Sequence, residues 1–151
     1  PDDFRGDILE IFANKIGIYP TKIDLSGEST LQMSRKLVTI IRKIESGSNL
    51  LIHPDGPAGP AYKVKPGLTA IAQKTGAVIV PLGCYCRNAY HWHRWDRYTF
   101  PLPFSKIQVH IGEPLTILKD LSDLHDVNLE MENILNRVAS QAAADYYEIQ
   151  D

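Results

Sequence analysis

The sequence predicts an α/β fold, in which a mostly parallel mixed sheet is flanked by helices on both faces. Short apolar runs at 50–52 and 77–82 have the length of buried strands. Segments with apolar residues at helical spacing, 31–46 and 67–75, alternate with them along the chain. This repeated order of strand and helix is typical of parallel sheets covered on both faces.

The bulk composition is that of an ordinary globular protein. The 151 residues fit one domain with a sizeable core. The net charge of −2 gives no argument for a nucleic-acid partner. No apolar run approaches the ~20 residues that span a bilayer. The only cysteines, Cys84 and Cys86, are too close along one strand to bridge each other, and free thiols fit a cytoplasmic setting.

The first half of the chain is predicted to hold two helices and a short strand. A helix at 7–16 ends at Gly17, and a longer helix at 31–46 ends at Gly47. Both carry an apolar stripe, and the basic residues of the second form its solvated side. A strand is predicted between them, at 21–25.

The second half alternates in the same way. A helix at 67–75 stops at Gly76, and the strand at 77–82 continues toward Cys86. Apolar and polar residues alternate over 106–111, which predicts a strand. A final amphipathic helix is predicted at 127–144.

A stiff loop of prolines and glycines, Pro54–Pro60, follows the predicted strand at 50–52. It carries one carboxylate, Asp55, and two bases, Lys63 and Lys65, follow it. Loops beyond the carboxyl ends of strands are where open α/β sheets bind ligands, so this loop is a candidate site. The alternative is a tight connection in which Asp55 only caps a turn.

The segment 87–105 is long and rich in aromatic residues, and it holds both tryptophans, Trp92 and Trp95. A segment of this kind is typical of functional or surface-binding regions. Its part 90–98 is expected either to touch a bilayer interface, where Trp and Tyr settle, or to pack within the protein.

Several of these segments together resemble one family, the DUF374 branch of the lysophospholipid acyltransferase (glycerolphosphate acyltransferase-like) superfamily. The similar runs, in order, are His53–Pro60, Lys65–Gly67, Val78–Pro81, Trp95–Arg97, Pro101, Pro103–Ser105 and Gly112–Pro114. The resemblance covers about residues 7–115. It implies a glycerol-3-phosphate acyltransferase-like sheet with a site at strand ends. It also implies that residues 1–151 form a single acyltransferase-like domain, which we expect to lack its N-terminal part because the chain starts at Pro1.

The resemblance also implies a reaction. A fatty acyl group moves from acyl-CoA or acyl carrier protein, the co-substrate, to a hydroxyl of a lysophospholipid or a related lipid or glycolipid acceptor. No metal and no bound cofactor is expected. The implied partners are the acyl donor, the lipid acceptor and a membrane surface, without nucleic acid. The implied location is cytoplasmic, peripheral at the inner face of the membrane.

Enzymes of the superfamily use a His-x4-Asp pair, in which His is the general base and Asp orients it. By order along the chain, Asp7 is the counterpart of that Asp, but Asp2 stands where the His belongs. An aspartate, with a usual pKa of about 3.9, is a poor base for an alcohol. His53, close to Asp55, is the substitute base to test; the alternative is a hydrogen-bonded histidine without chemistry. The candidate catalytic residues are Asp7, His53 and Asp55.

The acceptor phosphate is implied to lie at the run from Pro54 to Gly56, and Pro81 is implied to line the acyl or acceptor pocket. The candidate substrate-binding residues are Pro54, Gly56, Pro57, Gly59, Lys63, Lys65 and Pro81. Ala58 and Ala61 stand where the branch usually carries basic residues. Either Lys63, Lys65 or Arg5 supplies the missing charge, or the acceptor is less anionic.

Two other functions are open. The chain could be a catalytically inactive acyl- or lipid-binding member of the same fold, as the missing His and Arg suggest. An enzyme of unrelated chemistry with a phosphate loop is disfavoured, because the loop has no Gly-x4-Gly-Lys-Ser/Thr pattern.

Overall fold

A computed structural model of the chain describes residues 4–15, 17, 30–56, 59–93 and 95–149. The chain divides into two compact units, Pro1–Ser46 and Gly47–Asp151, which are considered separately. None of the described helices is long and apolar enough to cross a membrane.

The described residues of the first unit form the helices α1 (Phe4–Lys15) and α2 (Thr30–Glu45), and both predicted helices are confirmed. Helix α2 ends where Ser46 donates its backbone N–H to the carbonyl of Arg42 and Gly47 takes a φ of +92°. A side chain would be strained at that φ, so glycine is suited to the stop. The strand predicted at 21–25 lies outside the described residues.

The second unit holds two further helices, α3 (Pro66–Thr75) and α4 (His125–Glu148), which confirm the helices predicted there. Proline suits the first turn of α3, since no helical partner for its missing N–H is lost. Gly76 closes α3 in the left-handed conformation and donates its N–H to the carbonyl of Ala72. The hydroxyl of Thr69, which is fully buried, lies 2.6 Å from Asn128 Oδ1 and ties α3 to α4.

Four short strands are described in this unit, and they form two antiparallel pairs. In chain order they are β1 (Leu82–Tyr85), β2 (Ala89–His91), β3 (Thr99–Pro101) and β4 (Gln108–Ile111). Strand β1 pairs with β4, and β2 pairs with β3 to form a hairpin. The β1–β4 ladder continues past a shift in register to a bridge between Ile79 and Leu115.

Helix α4 packs on one face of the β1–β4 ladder. Two glycines make this contact close. A methyl group on Gly83 would lie 2.3 Å from the carbonyl oxygen of Val138, and one on Gly112 would lie 2.7 Å from Val138 Cγ2. The helix backbone therefore rests directly on β1. The buried apolar side chains of the unit are Ile71, Ala72, Cys86, Ile117, Met131, Val138, Ala142 and Tyr146.

The predicted fold class, a mostly parallel mixed sheet with helices on both faces, is wrong. The strands of the described residues pair only in antiparallel fashion, in two sheets of two strands. The predicted strand at 50–52 has no strand structure, and Leu51 is 84% exposed. The apolar run at 77–82, which suggested a strand covered on both faces, is covered on one face only. Its alternate residues Val78, Val80 and Leu82 are exposed, as are Val109 and Ile111 on the paired strand.

Candidate functional site

The loop that carries most of the predicted site is closed by backbone hydrogen bonds. The N–H of Gly56 donates to the carbonyl of His53 at 3.2 Å, and the N–H of Lys65 donates to the carbonyl of Pro54 at 2.8 Å. Both Gly56 (φ +68°) and Gly59 (φ +69°) take left-handed conformations that favour glycine. The sequence of prolines and glycines thus bends the chain back on itself and returns Lys65 to the start of the loop.

The side chain of Lys65 lies along this turn. A methyl group on Gly56 would lie 3.5 Å from Lys65 Cγ, so the lysine stem runs beside the glycine. Asp55, which precedes that glycine, is half-buried, while the side chain of Lys65 is exposed. A carboxylate and an ammonium therefore belong to the same closed turn, and the ammonium has access to solvent.

Lys63 has a structural partner instead. Its Nζ lies 2.6 Å from Glu132 Oε1 on α4, and the backbone N–H of Val64 donates to the other carboxylate oxygen at 3.3 Å. The hydrogen bond from Lys63 lowers the pKa of Glu132 below its usual value of 4.5, and the N–H of Val64 and the lysine charge lower it further. Glu132 thus fastens the loop to α4 and offsets the charge of Lys63.

Trp95 covers the far end of the loop. A methyl group on Gly59 would lie 2.6 Å from Trp95 Cε3, so the indole rests on the glycine itself. Gly59 is buried, and Trp95 comes from the turn between β2 and β3. The sequence is compatible with two roles for this tryptophan, membrane contact or packing within the protein. No spacing along the chain indicates Gly59 as its partner.

The predicted catalytic residues are only partly brought together. His53 is exposed and Asp55 is half-buried at the same turn, but no hydrogen bond between their side chains is found in the described part of the chain. Asp7 lies exposed in the first turn of α1, in the other compact unit.

The other predicted substrate-binding residues are placed as follows. Pro54 is half-buried beside Asp55, and Pro57 and Ala58 lie outside the described residues. Pro81 is fully buried, and a methyl group on Gly112 would lie 3.4 Å from its Cβ. Pro81 is thus packed beneath α4, on the ladder face opposite exposed Val80 and Leu82.

A histidine–carboxylate pair that the sequence did not single out lies between β4 and α4. His110 Nδ1 is 2.6 Å from Asp145 Oδ2, and Gln141 donates to the other oxygen of Asp145 at 2.8 Å. The hydrogen bonds from Gln141 and His110 lower the pKa of Asp145 below its usual value of 3.8. The predicted alternation of the strand puts His110 on its polar face. In the structure, α4 packs on that face.

Nothing in the described residues forms a metal centre, since no three His, Cys, Asp or Glu side chains in them are grouped closely enough to hold an ion. Two depressions on the described surface are lined by residues outside the loop. One runs along α2 beside Arg35 and Arg42, and the other lies between Ile107 and the end of α4 at Ile149.

The chain is similar to a protein of Rickettsia prowazekii (strain Madrid E) that is described as uncharacterized. The two are 32% identical over 127 residues, which are 84% of this chain and 56% of the Rickettsia protein. The chain thus spans about half the length of the curated relative that it matches. No family model matches the chain, and no solved structure matches it at a significant level.

Proposed function

We propose that the protein is an acyltransferase of the DUF374 type, which transfers a fatty acyl group from acyl-CoA or acyl carrier protein to a hydroxyl of a lysophospholipid or a related lipid or glycolipid. The observation that carries the proposal is the closed turn from His53 to Lys65. Its backbone hydrogen bonds join His53 to Gly56 and Pro54 to Lys65, so Lys65 returns to the residues on either side of Asp55.

Lys65 is the cation of this loop that binds substrate phosphate. Lys63 is offset by Glu132, whereas the Lys65 ammonium has no ion-pair partner among residues 30–56, 59–93 and 95–149. The acyl donor of the proposed reaction carries phosphate groups, and so does a lysophospholipid acceptor. A lysine binds phosphate as a point charge and lacks the fork geometry of arginine. Lys65 can therefore supply the charge in a chain that has alanine at positions 58 and 61.

His53 is the proposed general base. It is the histidine of the loop, it is exposed to an incoming hydroxyl, and an imidazole is the side chain most often used as a general base. Asp55 stabilises the imidazolium that forms. Their side chains draw together when substrate binds, because catalytic hydrogen bonds are often incomplete before the Michaelis complex forms.

The second candidate is an acyl- or lipid-binding protein without turnover. The absence of a hydrogen bond between His53 and Asp55 in the described residues favours it, since a base without an orienting partner is inefficient. In both proposals the protein works on the cytoplasmic side, peripheral to the inner face of the membrane.

Thiol release from acyl-CoA by the longest natural form of the protein, with a panel of lysophospholipid and glycolipid acceptors, tests the proposal. We expect acceptor-dependent release that His53→Gln lowers by about 100-fold or more, the usual contribution of a general base. Lys65→Met should raise KM for the phosphate-bearing substrate by about tenfold and change kcat less, because it removes binding rather than chemistry. Asp55→Asn should lower kcat.

Asp120→Asn and Lys74→Met are matched controls, since both residues are exposed and lie outside the loop. Each should keep wild-type turnover. Folded protein that binds acyl-CoA but releases no thiol with any acceptor would contradict the transferase and favour the binding protein. Release that survives His53→Gln unchanged would remove His53 from the mechanism.

A further inference from the structure

The hairpin formed by β2 and β3 exposes a row of large apolar side chains on one face. Tyr90 and Phe100 are directly opposite in the register, Trp92 is two residues beyond Tyr90, and Leu102 is two beyond Phe100. Side chains two residues apart lie on the same face of a strand, so Trp92 and Leu102 flank the pair of Tyr90 and Phe100, one toward each end of the hairpin. All four are exposed, and Phe104, in the turn that follows β3, is exposed completely. We call these five residues the hairpin face.

The hairpin face is not part of the core. Among the described helices and strands, β2 and β3 pack only against each other, whereas β1 and β4 are held by α4. The opposite side of the hairpin carries Ala89, Pro101 and a polar pair, in which His91 Nδ1 lies 3.1 Å from Thr99 Oγ1. A contiguous patch of exposed aromatic residues with no described element to cover it is typical of a binding surface.

The charge of the same segment is unlike that of the rest of the chain. Residues 87–106 contain four basic residues and one acidic residue, a net charge of +3, while the remaining residues have 12 basic and 17 acidic residues, a net charge of −5. Arg87 before β2, Arg97 in the turn and Lys106 after β3 are all exposed. Cations therefore border the hairpin face at both ends.

We infer that the hairpin face inserts into the interface of a bilayer that contains anionic phospholipids. Trp and Tyr rings settle at the level of the lipid headgroups, Phe and Leu enter the acyl boundary, and nearby Arg and Lys are attracted to anionic lipid. A bilayer is favoured over a nucleic acid, because the exposed side chains are apolar as well as aromatic and the whole chain has a net charge of −2. The inference rests on the proposed function, to which it adds the surface and the lipid charge that bring the enzyme to its acceptor.

Intrinsic fluorescence reports the contact directly, because the only two tryptophans of the chain, Trp92 and Trp95, belong to this segment. The chain is mixed with phosphatidylcholine vesicles, with or without about 30% phosphatidylglycerol, and bound protein is separated by sedimentation. We expect binding to the anionic vesicles with a blue shift of emission. Neutral vesicles should bind at least about tenfold more weakly, and added salt should weaken the anionic binding.

Two double variants and two matched controls locate the contact. Phe100→Ser with Phe104→Ser should weaken binding by about tenfold or more, because apolar area is lost. Arg87→Glu with Lys106→Glu should weaken it by about 25-fold or more, at roughly fivefold for each cation near an anionic surface. The controls should bind like wild type. They are Leu118→Ser with Ile149→Ser, which are also exposed apolar residues, and Lys74→Glu with Lys119→Glu, which are also exposed lysines. Urea midpoints equal to that of wild type show that the variants are folded.

Several results would overturn the inference: no binding to anionic vesicles, binding without a blue shift, equal losses in the controls, or single-stranded RNA that displaces the vesicles and binds through the same residues. Failure of the acyltransferase proposal can be distinguished from failure of the membrane contact. Hairpin-dependent vesicle binding without thiol release contradicts that proposal alone, while turnover of dispersed acceptors without vesicle binding contradicts the docking alone.

Discussion

Replacing Gly83 with alanine tests the direct contact between the α4 backbone and β1. The added methyl group would lie 2.3 Å from the carbonyl oxygen of Val138 and 2.8 Å from the backbone nitrogen of Ala139. Both are backbone atoms, so no side-chain rotation relieves the clash. Ordinary contact begins near 3.4 Å, and the helix must therefore move away by about 1 Å.

A gap of that size removes a quarter to a half of the dispersion attraction across the interface. The side chains affected include Val138, which is buried and whose Cγ2 lies against Gly112. We expect the free energy of unfolding to fall by about 3 kcal/mol, the upper end for overpacking. At a urea m-value of about 1.5 kcal/mol per molar, the midpoint falls by about 2 M.

Urea unfolding followed by circular dichroism measures the change, and two other glycines provide a graded comparison. Gly112→Ala meets the end of the Val138 side chain at 2.7 Å, which can shift, so its loss should be smaller. Gly67→Ala in α3 meets nothing within 4 Å and should stabilise by up to about 1 kcal/mol. A Gly83→Ala midpoint equal to that of wild type, or above that of Gly112→Ala, would refute the direct contact.

Two further predictions concern side chains beside the core. Hydrogen bonds from Gln141 and His110 hold the pKa of Asp145 below its usual 3.8, so the carboxylate adds stability above that pH and the contribution is lost as the pH falls through the folded-state pKa. Asp145→Asn should therefore lower the urea midpoint at neutral pH, and its difference from wild type should shrink in acid. Gly59→Ala should push the Trp95 indole into water, because the methyl would lie 2.6 Å from Cε3. Its emission should move to longer wavelength in a variant whose other tryptophan is replaced by Phe.

Matched substitutions separate these effects from general destabilisation. Asp120→Asn removes an exposed carboxylate and should leave the acid dependence of the midpoint unchanged. Gly67→Ala should leave the Trp95 emission unchanged. An Asp145→Asn variant with the same pH profile as wild type would contradict the stabilising role of the pair, and an unshifted emission in Gly59→Ala would contradict the stacking on Gly59.

The helices could be predicted from the sequence because their signals are local. The apolar stripe and the glycine stops place α2 and α3 within one residue of where they are found, and α4 within four. Strand pairing is not local. An apolar run such as 77–82 indicates extended chain, but it does not say which partner it has, in which direction, or which face is covered.

The face of the ladder that α4 covers shows most clearly why strand contacts could not be predicted from the sequence. The alternation over 106–111 suggests that Val109 and Ile111 face the core, yet both are exposed and His110 faces α4. Small residues decide the outcome: Gly83 and Gly112 let a helix approach on their side of the strands. Glycine adds little to a hydrophobic pattern, so this signal is weak in the sequence.

The loop of the candidate site could be located from its prolines and glycines, but its partners could not. Lys63 has the same charge as Lys65, and only the position of Glu132 on α4, 69 residues later, shows that one is held in an ion pair. The contact of Trp95 with Gly59 is equally distant in the chain. Such pairs form only in the tertiary fold. The spacing of the two residues along the sequence therefore does not indicate that they are in contact.

The order of the elements along the chain has a consequence for synthesis on the ribosome. The ladder strands β1 and β4 emerge before α4, whose residues from Met131 to Tyr146 cover them. At the usual rate of translation the two strands wait on the order of seconds for that helix. During this interval the face of the ladder that α4 later covers, with Gly83 and His110, is open to water together with the apolar face. A nascent chain halted before His125 would therefore expose to chaperones a surface that the finished fold conceals.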